Sequence, residues 1–236
     1  MLAEQLNIGF ISPGPATWPH YDSFMALIPD FVKFDFHGLG LYRQSLYEIA
    51  GKKAEIVSRI SQLALAKQWH SVIVIGAPTE VMNPGLLADL KSTLKIPVTT
   101  ALSASVAALR KYSAKRLLLL TPFETRLNQM IETYLTDAGF SVVAPRSFGN
   151  IGEAGRLQHD EVFQLTQQAL TEVGAVDAIY FQGAVLDPLK VLDKIETELK
   201  ALAIASNPAM LWHSLSQLGR RAPVNGYGRL LAEWPD

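Results

Sequence analysis

The chain has 236 residues, 49% of them hydrophobic, with 21 basic and 22 acidic side chains and a formal net charge of −1. That length buries the core of one large domain or two small ones, and the balanced charge, without a Lys/Arg block, offers no phosphate-tracking surface, so nucleic acid is not an expected partner. The complete absence of cysteine excludes disulfides, thiolate metal sites and cysteine nucleophiles.

The apolar run in MLAEQLNIGFISPG is too short for a secretory signal and far short of the roughly 20 residues that span a membrane, so a soluble cytoplasmic protein without membrane contact is expected. In chain order NIGFIS, VKFDF, SVIVIG and PVTT read as strands, followed by RLLLLT, SVVAP, DAIYFQ and LAIAS. Helical periodicity covers 44–67, 84–94 and 102–113, then 124–138, 159–173, 188–199 and 208–219. Strict alternation of the two predicts right-handed βαβ units and parallel sheets, and the near-continuous apolar strands predict helices on both faces.

The two halves also overlay. IGFISPG resembles LLLLTPF, with Ser12 on Thr121; SVIVIGAP resembles DAIYFQGA, with Gly76 on Gln182; PVTTALSASVAAL resembles AIASNPAMLWHSL, with Thr100 on Ser206. Three matches in order, at almost one spacing, predict two similar lobes. The boundaries drawn are 1–113 plus 208–236 for the first lobe and 114–207 for the second, with the tail NGYGRLLAEWPD crossing back to seal one of them.

In such sheets a ligand lies beyond the carboxyl ends of the strands, where SPGPATW, GAPTEV, TPFETR and QGAVLD fall. Backbone N–H groups at helix starts favour an anion, so a small carboxylic acid is the expected ligand. Candidate binding residues are Pro13 and Gly14; Gly76, Ala77, Pro78 and Thr79; Thr121 and Phe123; and Gly183, with Leu41 and Tyr42 of GLGLY as an apolar wall. Glu80, Glu124 and Asp187 sit in or beside first helical turns, where they complement the helix dipole, with proton handling as the alternative for Glu80 and Glu124. His20, in the Pro- and aromatic-rich loop after the first strand, is a candidate acid or base, with solvent-facing helix start as its alternative. His37 is a second pocket candidate, whereas His70, His159 and His213 read as structural. No metal-ligand spacing, nucleotide-binding glycine pattern or G-x-S-x-G elbow occurs.

IGFISPGPA, HGLGL, VIVIGAPTEV, LLTPFETRLN, FQGAVLD, SNPAMLWHSL and GYGRL carry a resemblance over nearly the whole chain. They resemble the aspartate/glutamate racemase superfamily, and within it arylmalonate decarboxylase and maleate cis-trans isomerase. The resemblance implies an α/β fold of two pseudo-symmetric Rossmann-like (flavodoxin-like) lobes, each a parallel four-stranded sheet flanked by helices, with the active site in the cleft between them. It implies catalysis with no metal and no cofactor, by cysteines that move a proton at the carbon next to a carboxylate. The first cysteine position falls on Gly76, as in the decarboxylases, and the second on Gln182. Hydroxyl donors of the decarboxylases fall on Ala77, Pro78 and Phe123, which have none.

A primary amide does not titrate near neutral pH, so Gln182 is expected to orient substrate or water while His20, Glu80 or Glu124 moves protons. The expected function is that of a cofactor-independent lyase or isomerase acting on a small carboxylic acid. The alternative is a catalytically silent ligand-binding or regulatory protein that kept the cleft. The sequence leaves a homo-oligomer open.

Overall fold

The computed structural model describes residues 5–15, 21–148 and 150–236. Strands β1 (Leu6–Ser12), β2 (Val32–Gly38), β3 (Ser71–Val74) and β4 (Val98–Thr100) form one sheet in the order β2-β1-β3-β4. Strands β5 (Arg116–Thr121), β6 (Ser141–Ser147), β7 (Ala178–Phe181) and β8 (Leu202–Ala205) form a second in the order β6-β5-β7-β8. Every pairing is parallel. The two sheets thus repeat one permutation, and their central strands are buried over most of their length, as at Leu117–Leu120 and Ala178–Phe181.

The first sheet is accompanied by α1 (Asp22–Met25), α2 (Lys53–Lys67), α3 (Ala77–Val81), α4 (Leu86–Thr93) and α5 (Ala101–Lys111). Then come α6 (Thr125–Asp137), α7 (Ile151–Ala154), α8 (His159–Val173), α9 (Leu192–Glu198), α10 (Ser206–Gln217) and α11 (Arg229–Glu233). No described helix is long and apolar enough to cross a membrane.

Local chemistry moved several helix ends from their expected places. The stretch 44–67 is two pieces: Ser45 and Glu48 close a capping box on a 3-10 turn (Leu46–Ile49), and α2 begins only after the chain turns at Gly51. Helix α10 begins at Ser206, before the expected 208, because Pro208 sits in its first turn, where a missing N–H costs no helical bond.

The repeat holds, but one residue out of the sequence overlay. Ile8 pairs with Ser71 as Leu117 pairs with Ala178. Ile75 N donates to Ile11 O and Gln182 N to Leu120 O, both at 2.9 Å. Gly76 therefore matches Gly183, and each turns its strand into the next helix with a positive φ, +82° and +120°. Apolar similarity alone does not register a strand; the turn geometry does.

Helix α10 forms the seam between the lobes. It packs on α5 and reaches the first sheet, where the Ser71 and Ser214 hydroxyls lie 2.9 Å apart. The tail fastens to α9, since Gly228 N donates to Asp193 at 2.6 Å and Arg229 N to Glu196 at 2.7 Å. Trp212 Nε1 donates to the carbonyl of Pro235 at 3.0 Å.

His213 gives this seam a pH dependence. Gln217 Nε2 points at His213 Nδ1 from 2.9 Å, so that nitrogen serves as an acceptor, and burial lowers the imidazole from 6.5 to about 4. Between those values the unfolded chain binds a proton that the folded one refuses, so stability falls as pH drops from 6.5 to about 4. The loss is on the order of 2–3 kcal/mol. In His213→Asn, thermal melts across that window should be flatter than in the parent; equal slopes would remove His213 as the cause.

Candidate functional site

Carboxyl ends of strands from both sheets open onto one cavity of about 290 Å³, lined at Ser12 and Pro13, Ile75 and Gly76, Pro122 and Phe123, and Gln182 and Gly183. Its first-lobe wall is built by the loop after β2, which zips onto the loop after β1. Leu39 N donates to Ser12 O at 2.8 Å, Gly40 N to Gly14 O at 2.8 Å and Leu41 N to Pro13 O at 2.7 Å. This lays the Tyr42 ring on Gly14 so closely that a Cβ there would meet the ring at 2.4 Å. Pro13 and Tyr42 consequently face the cavity, while Gly14 lies beneath the ring and Leu41 is buried behind. Tyr21 joins the wall, its ring edge-on to Phe10 at 5.5 Å.

Pro78 and Thr79 of α3 also line the cavity, but the Thr79 hydroxyl donates back to Ile75 O at 3.0 Å, and Ala77 is buried outside the lining. On the second lobe, Thr121 shapes the turn rather than facing the cavity. Its hydroxyl donates to Asn128 and accepts from Phe123 N at 3.1 Å.

Gln182 is 1% exposed. Its Oε1 accepts from the Tyr180 hydroxyl, which burial pushes well above its ordinary pKa and so keeps protonated. With the oxygen engaged, the amide's NH₂ is the end left for the cavity.

The two acids expected to carry protons are elsewhere. Glu80 points away from the cavity into the lobe interface, accepting from Thr100 Oγ1 at 2.5 Å and from the Tyr134 hydroxyl at 2.9 Å. Burial raises its pKa against these two bonds. Glu124 is exposed and caps α6, accepting from Arg126 N at 2.7 Å and Leu127 N at 3.1 Å. The Tyr47 hydroxyl, reaching over from the first lobe, is the chief influence holding its carboxyl below the usual range. Both acids therefore tie the lobes together. Asp187 does likewise, accepting from Ser23 at 2.6 Å. A helix-start acid beside a cleft has two directions to point, and sequence does not distinguish them.

His37 also lies off the cavity, 3.1 Å from Asp35 and packed over Trp69. His20 lies outside the described residues. Sequence reasoning missed Tyr21, Met210 and the pair Ser206–Asn207 at the end of β8. For that pair the strand-end rule was signal enough, and Tyr21 directly follows His20 in the aromatic-rich loop already expected at the cleft; for Met210 nothing short of packing would have served.

A model of the arylmalonate decarboxylase family matches residues 8–231. The chain belongs to that family. An arylmalonate decarboxylase from Bordetella bronchiseptica is 26% identical over 241 residues, covering 98% of each chain. Among solved structures, an arylmalonate decarboxylase double mutant in its liganded form superposes with a TM-score of 0.84 at 22% identity, covering 97% of this chain and 100% of that one. A maleate isomerase from Pseudomonas putida gives 0.77 at 17%, covering 98% and 100%. These two likenesses establish the shared fold.

This member of the arylmalonate decarboxylase family has no cysteine. Among the described residues, the titratable side chains lining its cavity are Tyr21 and Tyr42. Burial raises both hydroxyls, and Tyr21 is raised further by its neighbour Tyr42, so each is a proton donor rather than a base at neutral pH.

Proposed function

We propose that this protein is a cofactor-independent lyase or isomerase that moves a proton at the carbon next to a carboxylate of a small, partly apolar acid. The observation that carries the reading is that Gly76 and Gln182, at the two strand ends the family uses, share one mostly apolar cavity. In a decarboxylation the C–C bond to the departing carboxylate breaks and CO₂ leaves. The electron pair remains on the α-carbon, delocalised into the surviving carboxylate as an enediolate. Gln182 orients that group through its NH₂ but supplies no proton. The proton comes from the Tyr42 hydroxyl on the first-lobe wall or from His20, and is replaced from solvent. Tyr42 is half-buried, which leaves it a path to water.

The test is ¹H NMR of phenylmalonate and maleate incubated with the protein in D₂O. Turnover, or deuterium entering the α-position of phenylacetate, supports the reading. Tyr42→Phe and His20→Asn are expected to separate the two carriers, one of them losing the activity about a hundredfold. No turnover and no exchange, with one of these acids still raising the melting temperature, selects the second reading, a silent binding protein. That alternative is favoured by one observation: no described cavity side chain is a base at neutral pH.

A further inference from the structure

The cavity contains a polar group that the proposed chemistry has not yet used. Asn207 lines it, is 8% exposed, and its Oδ1 is buried without a hydrogen-bond partner. Two other asparagines have a buried, unpaired Oδ1, but each is anchored at its other end. Asn83 Nδ2 donates to Ile49 O at 3.0 Å and Thr79 O at 2.9 Å, and Asn7 Nδ2 donates to Lys67 O at 3.3 Å. Among the described residues no hydrogen bond holds Asn207 at either end. A buried amide left this way is destabilising unless something else completes it, and with neither end engaged it is free to present its NH₂.

Its surroundings indicate what completes it. Asn207 stands in the first turn of α10, a helix of 12 residues whose start carries no side-chain cap. Of the other helices that start at the cleft, α5 is capped by Thr100 and α6 by Glu124, whereas α3, only five residues long and without a side-chain cap, has Pro78 in place of a first-turn donor. The positive end of α10 is thus left for a ligand, and an anion is the species it favours. Ser206, 4% exposed, and Gln182, with its NH₂ free of Tyr180, line the same cavity. No carboxylate lines the cavity among the described residues to repel an acid.

We infer that the carboxylate of the bound acid is held at the start of α10 by the side chains of Ser206, Asn207 and Gln182. This rests on the reading that the ligand is a carboxylic acid, and it deepens that reading. Anchorage is placed on the β8 side of the cavity, where the family resemblance indicated none. It compensates for Ala77, Pro78 and Phe123, which offer no hydroxyl.

Calorimetric titration of the intact protein with phenylmalonate, phenylacetate and uncharged phenylacetamide tests it. The parent is expected to bind the acids in preference to the amide. Asn207→Leu is expected to weaken the acids about tenfold or more, Asn207→Asp to weaken them further, and Asn207→Ser to recover part of the loss. Because the amide is unpaired in the free protein, the unliganded Asn207→Leu should melt at or above the parent temperature, whereas a merely structural asparagine would lower it. If the parent binds the acids and both Asn207→Leu and Asn207→Asp bind them equally well, the anchor is not here, although the acid-binding reading stands. If the parent binds neither acid, that reading fails and the anchor with it.

Discussion

Gln182→Cys is expected to raise the conversion of phenylmalonate to phenylacetate by at least about a hundredfold over the parent, the scale of a well-placed acid–base group. The backbone is prepared for it. Gln182 N donates to Leu120 O at 2.9 Å, so the Cβ stays at the end of β7 whatever side chain it carries. A thiol there delivers its proton to the enediolate carbon and regains one from solvent. Losing the amide takes one partner from the buried Tyr180 hydroxyl, which keeps Ser105 beside it, at roughly 1 kcal/mol of stability. Adding Phe123→Tyr should contribute roughly tenfold or more, because Phe123 Cζ lies 3.6 Å from where a Cβ on Gly183 would sit, beside the departing strand end. Product formation by chromatography is the measurement. A folded Gln182→Cys, Phe123→Tyr protein with no rate above the parent would show that the carbon to be protonated is not at β7.

Gly183→Ala is expected to be the more damaging of two glycine replacements in the cavity, by a wide margin. At φ +120° any side chain strains the backbone, and here the new Cβ also falls 2.5 Å from Pro122 Cδ and 2.7 Å from Pro122 Cγ. The ring is bonded to its own backbone and has no free end to swing away. Strain and overlap together amount to roughly 3–5 kcal/mol. In a chain of this size that lowers the melting temperature by about 10 °C. Gly76→Ala shares the positive φ, +82°, but its Cβ meets nothing nearer than Thr79 Oγ1 at 3.5 Å, so only backbone strain of about 1–2 kcal/mol remains. Thermal melts of the two variants side by side check this. Equal melting temperatures would mean that Pro122 yields at negligible cost.

The strands were legible because a parallel strand covered on both faces is written as an unbroken apolar run, as in Leu117–Leu120, and the run needs no partner to be recognised. The repeat was legible for the same reason, since two lobes with one strand order reuse one pattern of turns and helices. Gly76, Gln182 and Gly183 could be placed at the cleft because strand ends are where such sheets hold ligands, and Pro13 and Tyr42 followed from the loops beside them.

Direction was not legible. Glu80 and Glu124 sit where a sequence places catalytic acids, yet each turns to a tyrosine of the opposite lobe, Tyr134 or Tyr47. Such a partner, 54 or 77 residues away, is chosen only when the lobes dock. Asn207 is the converse: an ordinary residue in the first turn of a helix, whose unpaired amide becomes meaningful only once packing removes water from around it. Composition and periodicity record what each segment buries against its own sheet. Which hydrogen bonds are made or left open across the cleft is decided by the three-dimensional fit of two lobes, because a hydrogen bond depends on angles and tenths of an ångström that no local pattern encodes.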